Sequence, residues 1–468
     1  MSHSAPVMTD ETAAPTQAAP TRALVSWALF DWSAQPFYTL ITTFLFAPYF
    51  ATAVMGDPAE GQKYWGYAAA VAGVFIALGS PFLGALADGR GPRKPWIALF
   101  AVIFAVAMSC LWFAVPGAGM GTVLLVLLAF VVASVAAEYC QVFTNAIMPT
   151  LVPTSQFGRL SGAGWAAGYF GGLVSLLLMV GMIVAVPDTG KTLLGLNPLI
   201  TLDAGSRQYD RLAGPFAAVW FVLFVLPFFL FVPDKPRAPT PGQAEHSALA
   251  ELGDTLRSLP GNRSMLLFLV ARMLYSDGLS AIFAFGGIYG AFVFGWGPLE
   301  LGIFGIILTL TGALGALAGG VLDDTLGSKT VIIGALVLLM VGAVGILSVD
   351  KTHVLFVTEV AAKAAGSRPF SSIGEQVFLA FAVLVGSVSA PVQAASRSLL
   401  ARLAPPEKIT QYFGLFAFSG KATAFLAPLV VASVTAFTGD QRIGMASILV
   451  FLIAGVVLML PVRGSRQV

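Results

Sequence analysis

GALADGRGPRK, residues 84–94, is a short charged hinge between two long apolar runs. Spans joined by so short a connection must be antiparallel neighbours. Gly91 admits a tight turn, including backbone angles closed to other residues. Gly84 lets a second backbone approach closely. Asp88, near a helix end, can pair with Arg93 or accept from the N-terminal amides of a neighbouring helix. The pattern recurs later as Gly320, Asp324, Gly327 and Lys329, spaced as Gly84, Asp88, Gly91 and Arg93 are. A hinge occurring twice at matched positions predicts an internally duplicated membrane protein. Such a contact can be made in one conformation and broken in another. Asp88, Arg93, Asp324 and Lys329 are therefore expected to act in gating, with Arg159 and Arg397 beside them. A loop that merely fixes topology is the plain alternative.

Composition agrees. The chain is 57% hydrophobic and 10% charged, against the quarter charged that is usual in soluble domains. The small net charge implies no nucleic-acid partner. Cys110 and Cys140 fall inside apolar runs and read as small core residues, not as a disulfide or metal site. His3, His246 and His353 all lie outside the spans, so proton handling within the membrane must use carboxylates. No catalytic residue, cofactor or metal is expected; a proton or cation gradient would supply energy.

Apolar periodicity predicts an all-α membrane protein with twelve transmembrane helices in two pseudo-symmetric six-helix bundles. The spans are expected near 24–52, 64–87, 94–115, 120–148, 160–186, 214–232, 264–294, 299–322, 329–348, 373–398, 409–437 and 441–462. Residues 1–22 read as a disordered tail with no cleaved signal. The halves are 23–232 and 264–462, with 463–468 a short tail. Between the halves, 233–263 begins as a polar, proline-rich linker. It continues as an amphipathic helix with Leu249, Leu252, Leu256 and Leu259 at helical spacing, expected to lie on the membrane surface. With both termini cytoplasmic, basic residues favour the inner loops about two to one. That points to a plasma (inner) membrane protein. The outer loops near 187–213 and 349–372 read as tolerated insertions.

The halves echo each other further. LFDWSAQ holds Asp31, and LYSDGLS holds Asp277. Aligning Gln141 with Gln393 brings Pro153 onto Pro405. A four-residue insertion would then bring Phe157-Gly158 onto Phe413-Gly414.

Charge at mid-bilayer costs at least ~2.5–3.5 kcal/mol. Asp31, Glu138, Arg272, Asp277 and Lys421 all pay it, and are expected to face one central cavity. Asp31, Glu138 and Asp277 would serve as proton or cation sites. Lys421 and Arg272 would bind substrate or tune the acids. Gln35, Gln141 and Asn145 would line the site. Arg272 and Asp277 share no helical face, so Arg272 should meet another helix. Structural ion pairs are the competing explanation for each. Gly164, Gly168 and Gly172 form a small-residue stripe for close helix packing. GLFAFSGKA, residues 414–422, only superficially resembles a phosphate-binding loop. It has one residue too many before Gly420-Lys421, and Ala422 stands where Ser or Thr must bind magnesium.

The G-x-x-x-D-x-x-G-x-R/K pattern resembles the signature loop of the major facilitator superfamily. This copy departs from it at Gly89, where a basic residue is usual, and at Pro92. WALFDW, FTNAIMP, RLSGAGWAAGYFGG, LYSDG with GGIYG, QAASRSLLARLAP and FGLFAFSGKATAFLAPL together resemble the vacuolar-effluxer-like branch, related to autophagy-associated amino-acid exporters. The resemblance spans both halves. It implies a twelve-helix secondary transporter exporting amino acids. Ser33-Ala34-Gln35 stands where that branch suggests an Ala-Asn-Ser-like run.

The expectation is a secondary active transporter for a small polar solute, working by proton-coupled alternating access. Its partners would be that solute and the lipid bilayer, and it would be monomeric. Rival readings are a sugar–cation symporter, a non-transporting receptor or scaffold, and a lipid scramblase or flippase.

Overall fold

The computed structural model describes residues 15–89, 91–185, 189–234, 248–363 and 368–463. Twelve helices long and apolar enough to cross a membrane are present among them: Thr21–Val54, Pro58–Asp88, Lys94–Phe113, Met120–Thr150, Thr154–Ile183, Gln208–Phe231, Arg263–Phe294, Leu299–Leu326, Ser328–Leu347, Ile373–Leu403, Pro406–Thr438 and Gln441–Met459. They are called spans 1 to 12 below. Most of the expected N-terminal tail, Arg90, most of the proline-rich linker and nearly all of the C-terminal tail lie outside the described residues.

Local chemistry sets the helix ends. Asp57 caps span 2 by accepting from the Ala59 and Glu60 amides, with Pro58 first in the helix. Ser372 and Glu375 cap each other at the start of span 10. Gly91 and Gly327 have φ of 96° and 86°, the left-handed region that glycine enters at little cost. Span 1 starts at Thr21, so the disordered tail cannot extend to residue 22. The Ala19 amide is already bonded to the Leu151 carbonyl at 2.7 Å.

Packing repeats between the halves. Span 1 lies on spans 5 and 6 as span 7 lies on spans 11 and 12. Span 4 contacts 2 and 3 as span 10 contacts 8 and 9. The halves meet along two seams, span 2 against span 11 and span 5 against span 8.

Spans 1 and 11 are irregular along their length. Span 1 widens after Pro36, and the Leu45 amide reaches back to Leu40 at 3.1 Å. Span 11 consists of Ile409–Lys421 and Leu426–Thr438, separated by a turn.

The linker helix runs from Ala248 to Ser258. It docks on spans 2 and 11. Thr255 is buried, donating to Gln411 Oε1 at 3.2 Å and accepting from Lys408 Nζ at 3.1 Å. The leucine stripe is split: Leu259 is buried and Leu252 partly so, while Leu249 and Leu256 stay exposed. A buried threonine between leucines is what a protein surface with polar partners accepts, whereas lipid would supply none.

Candidate functional site

On the face that carries the termini, each hinge carboxylate caps a helix of the opposite half. Asp88 accepts from the Thr410 amide at 3.2 Å and the Gln411 amide at 2.8 Å, at the start of span 11. Asp324 accepts from the Gly158 amide at 2.7 Å and the Arg159 amide at 3.0 Å, at the start of span 5. Both carboxylates use first-turn amides that have no partner within their own helix. Arg93 supports the first latch, 3.4 Å from Asp88 and 2.7 Å from the Thr410 hydroxyl.

Close backbone packing makes this possible. A Cβ on Gly84 would run into the Thr410 backbone, and one on Gly320 would meet the Gly158 carbonyl. Gly162 lies against Ala316 as Gly414 lies against Ser80. The register from Gln141 to Pro153 and from Gln393 to Pro405 therefore continues unbroken. Gly158 matches Thr410 and Gly162 matches Gly414. The four-residue insertion expected from the sequence is not needed. Phe157-Gly158 and Phe413-Gly414 look alike by coincidence.

The second latch differs from expectation. Lys329 does not join it; its ammonium donates to the Leu460 carbonyl at 2.6 Å. Arg402 of span 10 takes its place, 2.5 Å from Asp323 and 3.2 Å from Asp324, and also bonds the Ser328 hydroxyl. Arg159 stands 3.6 Å from Asp324 with its side chain largely exposed. Neither Arg402 nor Asp323 was legible as a site residue, because no equivalent position in the first half carries a matching charge.

Deeper between the halves, Arg397 leaves both latches and pairs with Asp31 at 3.0 Å. It also donates to Asn145 Oδ1 at 3.1 Å, the Ser161 hydroxyl at 2.8 Å and the Ser161 carbonyl at 2.6 Å. Gln141 donates to Asp31 at 2.9 Å, and the Trp27 ring covers the guanidinium at 4.9 Å. The glycine stripe of span 5 makes room for this cluster. A Cβ on Gly164 would lie 2.6 Å from Asp31 Oδ2 and 2.9 Å from Arg397 Nη2. Gln35 lies against Gly168 and Gly172.

The five intramembrane charges thus do not form one cluster. Glu138 of span 4 and Lys421 of span 11 face each other across the halves at 3.8 Å, both partly exposed. Arg272 meets span 11, donating to the Phe416 carbonyl at 2.5 Å and the Ser419 hydroxyl at 2.8 Å, and stacking on the Phe416 ring. It does not pair with Asp277. Asp277 is 1% exposed, and neither of its carboxyl oxygens makes a hydrogen bond among the described residues. The charges separate because each is carried to a different neighbour by its place around its own helix.

Residues 54–467 match the family described as vacuole effluxer Atg22 like. The chain is 23% identical over 426 residues to the uncharacterized MFS-type transporter YxiO of Bacillus subtilis, covering 90% of each. It is 24% identical over 323 residues to autophagy-related protein 22-1 of Aspergillus niger, covering 66% of this chain and 48% of that protein. The chain therefore spans about half the length of that fungal relative. Among solved structures, the human organic anion transporter MFSD10 (TETRAN) superposes with a TM-score of 0.67 at 16% identity, covering 94% of this chain and 100% of the other. FucP in its outward conformation gives 0.66 at 14% identity, covering 94% and 97%. These likenesses show the twelve-helix major facilitator fold. Family and fold are those of transporters, not enzymes.

Proposed function

The chain belongs to the Atg22-like vacuole effluxer family, and from that premise we propose that it moves a small polar solute, an amino acid, by proton-coupled alternating access. The observation that carries this reading is the closure of one face by two carboxylates, each seated on a helix start of the other half. Such contacts are few, polar and separable, so a rocking motion can exchange them for contacts on the opposite face.

The Glu138–Lys421 pair supports a zwitterionic cargo. At 3.8 Å and partly exposed, it is loosely held and spans the halves. An ammonium group would bind Glu138, and a carboxylate would bind Lys421. Asp31, Glu138 and Asp277 are the candidates for the proton. On this reading the termini are cytoplasmic, the protein sits as a monomer in the plasma (inner) membrane, and amino acids leave the cell.

Flux in sealed vesicles tests it. Amino acids, dipeptides and sugars are supplied one at a time, with and without a pH gradient. Amino-acid movement accelerated by the gradient is expected. Sugar movement alone would favour a sugar symporter, and lipid movement without solute flux would favour a scramblase.

A further inference from the structure

Asp31 is held by Arg397 and Gln141, and Glu138 faces Lys421. Asp277 has neither kind of compensation. It is sealed from solvent at 1% exposure, its oxygens unbonded among the described residues. The Thr423 hydroxyl, also without a hydrogen bond, adjoins it at the turn that interrupts span 11.

Among the described residues, the elements packed on span 7 bring no counter-charge. On span 10, Arg397 and Arg402 are committed to Asp31 and to the Asp323–Asp324 pair, and Glu375 to Lys363. On span 11, Lys421 faces Glu138 and Lys408 bonds Thr255. On span 8, Glu300 pairs with Lys363 near the opposite face. On span 12, Arg442 bonds the Leu347 carbonyl. On span 7 itself, Arg272 is spent on Phe416 and Ser419, and the Tyr275 hydroxyl pairs with that of Ser396. An ionised carboxylate left uncompensated in such a place is strongly destabilising. Two side-chain groups alone make a poor cage for a metal cation, which needs about six oxygens. A neutral carboxyl is what the site accommodates.

The piece of helix beside it reaches the other two functional features. Ile409–Lys421, 13 residues long, begins at the Asp88 latch and ends at the Lys421–Glu138 pair. Arg272 fastens its middle to span 7, one and a half turns from Asp277. We propose that Asp277 is the proton carrier of the cycle, and that the helix Ile409–Lys421 transmits its protonation to the Asp88 latch. This rests on the proton-coupled reading above and selects one acid from three. The proton enters from water and binds one carboxyl oxygen while the terminus-bearing face is closed. Its loss back to water leaves a buried charge that this closed arrangement does not tolerate, so the population shifts toward the alternative state.

Spin labels at Ser155→Cys and Thr325→Cys, exposed positions on opposite halves of that face, report the closure. Cys110 and Cys140 are replaced by Ala, and the full chain is reconstituted in lipid. The distance between labels is expected to be short in acid and to lengthen as pH rises. Asp277→Asn and Asp277→Thr, each checked for monodispersity, should lose the pH response and stay closed. Glu60→Gln, at an exposed acid in the first turn of span 2, should keep it. An Asp277→Asn protein that titrates like wild type overturns the proposal, as does a wild type indifferent to pH. Vesicle flux separates the two failures. Gradient-driven flux retained in Asp277→Asn sinks this assignment and leaves the transport reading standing. Wild-type flux that ignores the gradient sinks both.

Discussion

Asn145 and Arg397 occupy equivalent positions in the two halves of the chain, and they are hydrogen-bonded to each other at 3.1 Å. The register that pairs Gln141 with Gln393 places them together in sequence. The fold then brings them face to face across the halves. One repeat has kept an amide there and the other a guanidinium, so two copies of one position have become donor and acceptor. Asp31 completes the contact from span 1.

Removing Arg397 should therefore cost more than a surface charge would. Arg397→Gln strands Asp31 in a site where its side chain is 13% exposed. The expected loss is about 3–5 kcal/mol, the usual consequence of breaking a buried pair from one side. Adding Asp31→Asn should recover much of it. Thermal unfolding of the detergent-purified single and double variants checks this, and a double variant no better than Arg397→Gln would refute it.

Gly164→Ala tests the same cluster by volume alone. The added methyl would lie 2.6 Å from Asp31 Oδ2. A destabilisation of about 1–3 kcal/mol is expected, as for other overpacked sites. Gly66→Ala, in an open position, should cost far less in the same assay.

The latches should act on the balance between closed and open states. Asp88→Ala removes a capping acceptor worth about 0.5–2 kcal/mol. Roughly 1.4 kcal/mol is tenfold in a population, so closure should weaken by about two- to thirtyfold. Asp324→Ala should do less, because Arg402 still reaches across the halves to the Thr154 carbonyl at 3.2 Å. Accessibility of a cysteine placed between spans 2 and 11 measures the difference.

Glu138 and Lys421 should behave differently from Asp31 and Arg397. Their partial exposure at 3.8 Å limits the pair to about 0–1 kcal/mol of stability. Glu138→Gln and Lys421→Gln should therefore fold normally while losing at least about tenfold in amino-acid flux. Unimpaired flux in both would remove the pair from the binding site.

Gln411 separates the linker helix from the latch. Its amide N–H serves Asp88, while its side chain accepts from Thr255 and reaches the Glu251 carbonyl at 3.5 Å. Gln411→Leu should speed hydrogen exchange in residues 249–258 and leave the latch closed. Equal loosening of both would show that they act as one unit.

Much of the architecture was legible in the chain. Twelve apolar stretches, a doubled hinge and turn glycines are local signals, and the bilayer converts local hydrophobicity directly into spans. Gly84, Asp88, Gly91, Gly320, Asp324 and Gly327 could be read because duplication prints them twice. The partners of the linker helix on spans 2 and 11 were not legible, because an amphipathic pattern shows that a face is buried without showing against what.

What the sequence by itself determined, then, was the number of spans, their pairing into repeats and the identity of the charges that needed explaining. Only the tertiary structure decided their partners. Arg397 joined Asp31, Arg402 replaced Lys329, Lys421 met Glu138, and Asp277 found no hydrogen-bond partner among the described residues. The reason is geometric. A charge in a spanning helix is satisfied sideways, by whichever helix happens to pack there, and helix neighbours across the two halves are set by three-dimensional closure that no spacing along the chain records.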